Sequence, residues 1–138
     1  MVSEYNSLIK NKTWELIDLP ADRDPINTKW VYKVKYLADG SIDRYKARFV
    51  AKGFSQQEGI DYDETFAPVA KFNNLLVVLA IATYEDLELE LMDVKTAFLN
   101  GEIMEDIYVT QPEGFVDSKR PHAVCKLKKS LYGLKQAP

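Results

Sequence analysis

The sequence predicts a soluble unit that mixes helix and strand. The stretch from Thr28 to Lys52 is rich in β-branched and aromatic residues and is broken once by a turn signal. The apolar run from Leu75 to Ala82 carries leucines and alanines and reads as helix. The composition, 46% hydrophobic and 28% charged, is ordinary for a globular chain and too apolar for a disordered one. A length of 138 residues fits one domain, or one piece of a larger one.

In chain order, Met1 to Lys10 reads as a short helix. Pro20 and Pro25, among acids, mark an irregular leading segment that Trp14 and Trp30 are expected to pin to the body. Thr28 to Tyr36 reads as a strand and Ile42 to Lys52 as its return, with Ala38-Asp39-Gly40-Ser41 as the turn. The period of two puts Lys33 and Lys35 on one face of the first strand, and Lys46 and Arg48 on one face of the second. Asn73-Asn74 are expected to cap a buried helix that continues to Tyr84. A buried strand competes for the same run.

Leu87-Glu88-Leu89-Glu90-Leu91 alternates and reads as a strand. Asp93 then continues the leucine row. A carboxylate there is costly unless it is paired or binds metal. Thr96 to Leu99 begins a helical turn that Asn100-Gly101 stops. Ile107 to Gln111 and Ala123 to Lys128 read as short strands.

Several function classes drop out. The longest apolar run has eight residues, whereas a membrane-spanning helix needs about 20. The N-terminus shows no secretory signal. Cys125 is the only cysteine, which excludes an internal disulfide and a cysteine-cluster zinc site. His122 is the only histidine, and nothing near it supports a Ser-His-Asp triad. A reducing, intracellular setting is the default.

The net charge of −3 hides strong segregation. Lys29 to Lys52 holds seven basic residues against two acids. Phe54 to Asp93 holds nine acids and one base. Lys119 to Lys135 holds six basic residues and no acid. One reading is three solvated faces. The sharper reading is two cationic surfaces gripping phosphates around an acidic metal site.

Ordered motifs then identify a family. They are Asn11-Lys12-Thr13-Trp14, Lys29-Trp30-Val31-Tyr32-Lys33-Val34-Lys35, and Tyr45-Lys46-Ala47-Arg48-Phe49-Val50-Ala51-Lys52-Gly53-Phe54. Gly59-Ile60-Asp61-Tyr62-Asp63-Glu64-Thr65-Phe66-Ala67-Pro68-Val69 and Met92-Asp93-Val94-Lys95-Thr96-Ala97-Phe98-Leu99-Asn100-Gly101 follow. Gln111-Pro112-Glu113-Gly114-Phe115 and residues 127–138, ending Leu131-Tyr132-Gly133-Leu134-Lys135-Gln136-Ala137-Pro138, complete the set. The chain resembles the reverse transcriptase domain of copia-type long-terminal-repeat retrotransposon Pol polyproteins over nearly its whole length.

The resemblance implies an α+β fold: reverse-transcriptase-like fingers and palm, with a mostly antiparallel palm sheet backed by helices and incomplete at the C-terminus. It implies one partial domain over 1–138, with the leading segment and fingers over about 1–70 and a helix and partial palm over about 71–138. It implies an RNA-directed DNA polymerase using Mg²⁺ or Mn²⁺ in two-metal nucleotidyl transfer. By the same correspondence Asp93 is catalytic, and Asp93 with the Val94 carbonyl binds metal. Phe98 is the steric gate at the sugar. Tyr132 and Gly133 lie on the incoming nucleotide, with glycine allowing close backbone approach. Lys35 and Arg48 clamp its triphosphate, Lys33 and Lys46 being the alternatives. Lys135 reaches template or triphosphate, or is solvated.

No Tyr-x-Asp-Asp, the family's source of two further aspartates, occurs in the 138 residues. The chain alone is therefore expected not to polymerise, and its implied partners are the remainder of the Pol polyprotein, a primed RNA or DNA template and deoxynucleoside triphosphates, with no membrane. Its implied setting is a cytoplasmic virus-like particle or the nucleus. The competing classes are a non-catalytic nucleic-acid-binding remnant and a decayed transposon copy. The Gln111-to-Phe115 motif has no assigned chemistry. Asp61-Tyr62-Asp63-Glu64-Thr65 is read as a solvated loop in preference to a second metal site.

Overall fold

Alternation, turn chemistry and a few buried aromatics account for most of the architecture. The computed structural model describes residues 1–65, 71–92 and 97–137, with all their side chains except those of Phe98 and Asn100. In chain order the elements are α1 (Val2–Lys10), β1 (Trp14–Ile17), β2 (Thr28–Tyr36), β3 (Ile42–Ala51), a 3-10 turn (Gly53–Ser55), α2 (Phe72–Tyr84), a second 3-10 turn (Ala97–Asn100), β4 (Tyr108–Val109) and β5 (Val124–Leu127). The result is a small α+β molecule with antiparallel sheets.

α1 buries Leu8 and is then stopped by its own sequence. Asn11 donates from Nδ2 to the Ser7 carbonyl at 2.8 Å. Lys12 turns the chain at a φ of 52°. Thr13 is fully buried and donates from Oγ1 to the Leu8 carbonyl at 2.9 Å. The Asn11-to-Trp14 motif is thus a helix stop that delivers Trp14 into β1. That strand pairs with β5 (Trp14↔Leu127, Ile17↔Val124), and β5 pairs with β4, giving the sheet order β1-β5-β4.

β2 and β3 form the expected hairpin, registered from Thr28↔Ala51 to Lys35↔Arg44. The Asp39 carboxylate holds the turn by accepting from the Ser41 N–H at 2.9 Å and hydroxyl at 2.6 Å. Gly40 takes a φ of 85° there. The hairpin joins the sheet through the Ile26↔Val109 bridge and the Thr28–Thr110 hydroxyl contact at 2.9 Å.

Phe49, 1% exposed, lies between Trp30 at 5.2 Å and Trp14 at 5.9 Å. Phe115 stacks on Tyr5 at 4.2 Å and also meets Trp30. Trp30 Nε1 donates to the Glu113 carbonyl at 3.0 Å. Gln111 donates from Nε2 to the carbonyls of Arg120 and Ala123 and accepts at Oε1 from the Asp117 N–H. The Gln111-to-Phe115 motif is therefore architectural. Its glutamine staples the loop before β5, and its phenylalanine seals hairpin and α1 onto the core.

Four expectations need correction. The helix α2 forms, but Asn73 and Asn74 lie inside it, Lys71 is its N-cap, and among the described residues no side chain caps it. It is not buried: among its described residues only Ala82 is, while Val77, Val78 and Ile81 stand more than half exposed. Leu87 to Leu91 is not a strand, and its three leucines are exposed. Alternation makes a strand only where another strand offers its free backbone groups, and none of the described strands pairs with this segment. The strand expected over Ile107 to Gln111 shortens to Tyr108–Val109, because the Thr110 N–H and carbonyl are taken by Ile26 and Thr28.

Candidate nucleic-acid and nucleotide interface

The hairpin register decides how its charges add. Cross-strand partners share a face. Lys33 stands opposite Lys46, Lys35 opposite Arg44, Val31 opposite Arg48 and Lys29 opposite Val50. Six cations therefore occupy one face of the ribbon, and Trp30, Tyr32, Tyr45 and Phe49 occupy the other. Among the described residues, only Arg44 of the six has an ion-pair partner, Asp43 at 3.6 Å. Directly opposed like charges destabilise a sheet. Fold stability alone does not favour Lys33 against Lys46, whereas a phosphate chain would neutralise both.

At the hairpin base this face meets the C-terminal segment. The Ala51 N–H donates to the Tyr132 carbonyl at 2.8 Å, and the Gly53 N–H to the Gly133 carbonyl at 3.1 Å. Arg48 lies over the Tyr132 ring, 5.3 Å from its centre, as a cation–π pair. Lys46, Arg48, Tyr132, Glu4, Leu8 and Leu99 line a cavity of about 80 Å³. The expected residues Arg48, Tyr132 and Gly133 are thus brought together, and Lys46 joins them. Lys35 is not with them. Four residues of strand separate its row from that of Arg48, about 13 Å.

Two glycines let the segments approach closely here. A Cβ on Gly53 would sit 2.0 Å from the Gly133 carbonyl oxygen. A Cβ on Gly133, whose φ is +91°, would sit 2.2 Å from the Ala51 carbonyl oxygen. Gly133 therefore permits close approach to β3. Lys135 is also engaged: Nζ donates to the Tyr62 hydroxyl at 2.9 Å and the Gln56 carbonyl at 3.3 Å, and it lies 4.6 Å from the Tyr62 ring centre.

Asp93 and Val94 lie outside the described residues, as does the side chain of Phe98. Among the described residues, no group of three or more histidine, cysteine or carboxylate side chains could hold a metal ion. In the acidic segment, Asp61 accepts the Gln57 N–H at 2.8 Å and so closes a turn. Away from this face, burial pushes the Cys125 thiol up to about 12. Its hydrogen bond to Lys126 holds the Asp106 carboxyl below the usual range. Sequence reasoning assigned no role to Gln56, Gln111 or Gln136: Gln56 and Gln136 bond groups 75 to 80 residues away, and Gln111 bonds carbonyls 9 and 12 residues on, across an irregular loop.

The family model described as reverse transcriptase (RNA-dependent DNA polymerase) matches residues 11–138. The chain is 53% identical over its whole length to the retrovirus-related Pol polyprotein from transposon TNT 1-94 of Nicotiana tabacum, covering 10% of that protein. It is 48% identical to the corresponding polyprotein from transposon RE1 of Arabidopsis thaliana, again over 100% of this chain and 10% of the relative. It is 32% identical over 97% of its length to the Ty1-ER2 Gag-Pol polyprotein of Saccharomyces cerevisiae, covering 8% of it. No solved structure matches. The chain thus spans a tenth or less of these relatives, and the match runs through the cationic hairpin and the Tyr132–Gly133 segment alike. The chain belongs to the reverse transcriptase family carried by copia-type retrotransposon Pol polyproteins.

Proposed function

We propose that this chain forms the fingers and part of the palm of an RNA-directed DNA polymerase, about 1–70 and about 71–138. In this reading it grips primed RNA or DNA template and the incoming deoxynucleoside triphosphate, and the rest of the Pol polyprotein completes the catalytic centre. The observation that carries the reading is the six-cation hairpin face ending in the Arg48–Tyr132 contact. Phosphates neutralise the face, and arginine suits bidentate phosphate contact.

Arg48 and Lys46 meet the triphosphate, with Lys33 and Lys35 further along the same face. Tyr132 and Gly133 bound the nucleotide, and Phe98 excludes a sugar 2′-hydroxyl. The Asp93 carboxylate and Val94 carbonyl are hard oxygen donors of the kind that hold Mg²⁺ or Mn²⁺. One carboxylate is too few for two ions, and the remaining ligands come from a Tyr-x-Asp-Asp segment of the polyprotein. Bound metal would activate the primer 3′-hydroxyl and stabilise the leaving pyrophosphate. The work takes place in a cytoplasmic virus-like particle or the nucleus. No helix among the described residues is long and apolar enough to cross a membrane.

A polypeptide extended through Tyr-x-Asp-Asp is expected to extend a primer with added Mg²⁺, and Asp93→Ala to abolish it. An unchanged rate in Asp93→Ala would remove that residue from catalysis. The 138-residue chain is expected to bind primer–template without extending it. The exposed cationic face favours this binding-only behaviour for the chain alone, and absence of binding at low salt would exclude it.

A further inference from the structure

We propose that Gln56 is a positioning residue. Buried at the exit of the hairpin, it fixes Lys135 and Gln136 and so holds the Tyr132–Gly133 segment in its working register against Arg48. The proposal rests on the reading of that segment as the nucleotide face.

Gln56 is 5% exposed, an unusual burial for an amide. Its partners dictate its orientation. The Lys135 backbone N–H can only donate, so Gln56 Oε1 must face it, at 2.7 Å. Gln56 Nε2 is then left to donate to Gln136 Oε1, at 2.9 Å. Gln136 Nε2 in turn donates to the Asp61 carbonyl at 2.9 Å. This chain of amides has one polarity only. Reversing any member would set two acceptors, or two donors, face to face.

The chain also completes a series. Ala51 bonds Tyr132, Gly53 bonds Gly133, and Gln56 bonds Lys135. The first two ties set how closely the segment approaches the hairpin. The Gln56 side chain extends the series past the glycine, gripping one backbone group and one side chain beyond it. A shift there would carry the Tyr132 ring away from Arg48, to which it now lies at 5.3 Å.

The test uses the polymerase polypeptide extended through Tyr-x-Asp-Asp and reads single-nucleotide incorporation. Gln56→Leu strands the Lys135 N–H and Gln136 Oε1. It is expected to raise KM for the triphosphate about tenfold, leaving kcat and primer–template affinity within about twofold. Gln56→Glu provides the second readout. Its carboxylate faces Gln136 Oε1 with a negative charge, and burial together with that facing acceptor raises its pKa, so lowering the pH restores a proton that donates as the amide does. Its KM excess should therefore shrink as pH falls, a response a packing defect would not give.

A fall in kcat at unchanged KM, or a Gln56→Glu excess that ignores pH, would overturn the proposal. Arg48→Ala separates it from the reading beneath it. If Arg48→Ala raises KM and neither Gln56 variant does, only the positioning role is lost. If Arg48→Ala also leaves KM unchanged, the nucleotide face fails and the positioning role falls with it.

Discussion

At the scale of single residues, two glycines and one cysteine give sharp expectations. Gly40 and Gly133 both have positive φ, but only Gly133 is also enclosed. Gly40→Ala meets no atom within 4 Å, so it carries backbone strain alone, about 1 kcal/mol. Gly133→Ala adds a collision with the Ala51 carbonyl. Its loss of stability should exceed that of Gly40→Ala by more than about 2 kcal/mol in urea titration. Equal losses would mean that the two segments do not touch in solution. Cys125 is 0% exposed, with its thiol pushed up to about 12, so it is neutral and shielded at pH 8. A thiol reagent should label it only as fast as the protein unfolds. Rapid labelling of native protein would place Cys125 outside the core.

At the scale of elements, the hairpin and the three-stranded sheet differ in what their charges do. On the sheet, opposite charges are paired: Glu15 on β1 meets Lys128, and Asp106 before β4 meets Lys126 on β5 at 2.6 Å. The hydrogen bond from Lys128 lowers the Glu15 carboxyl, and that from Lys126 lowers Asp106. Both folded carboxylates are depressed, so their contribution is present above the unfolded values of about 4 and is lost as pH falls further. Between pH 5 and 3, wild type should lose more stability than Glu15→Gln, and salt should narrow the gap. An identical acid profile would show that the Glu15 pair contributes nothing.

On the hairpin, like charges are aligned. Removing Lys33 and Lys46 together should reduce the salt slope of nucleic-acid binding by about 2. A slope that stays the same would move the phosphate contacts elsewhere. Both strands of this hairpin were legible, since alternation and the Asp39-Gly40 turn agree. β3 ends at Ala51, one residue short of expectation. That all the cations share a face was not legible, because it depends on register across the turn. The contact of Arg48 with Tyr132 was beyond local pattern altogether. Leu87 to Leu91 alternates as cleanly as the hairpin does, yet none of the described strands pairs with it.

At the scale of the whole molecule, α2 is the conspicuous element. It is apolar on all sides, and a helix of that kind is normally buried all round. Here Leu75, Leu76, Val77, Val78 and Ile81 are each about half exposed or more. Covering each would gain about 1.5–3 kcal/mol. The 138-residue chain on its own should therefore self-associate or precipitate. Val77→Lys with Ile81→Lys should shift it toward monomer in sedimentation without loss of the hairpin. A wild-type chain that is already monomeric and unfolds cooperatively would contradict this. The sequence marked the segment as helix through its leucines and alanines. It could not say what covers it, because an all-round apolar pattern points to no particular side.

The contact between Gly53 and Gly133 has a consequence for how such sequences can drift. Most tight contacts can be repaired: a larger residue on one side is tolerated once the other side shrinks. Here each partner already carries the smallest side group there is, and the nearest atom that a larger one would meet is in each case a backbone carbonyl oxygen, which substitution does not trim. No second change on either strand can rescue a first. The two positions are thus locked independently and should show no correlated variation, although they touch.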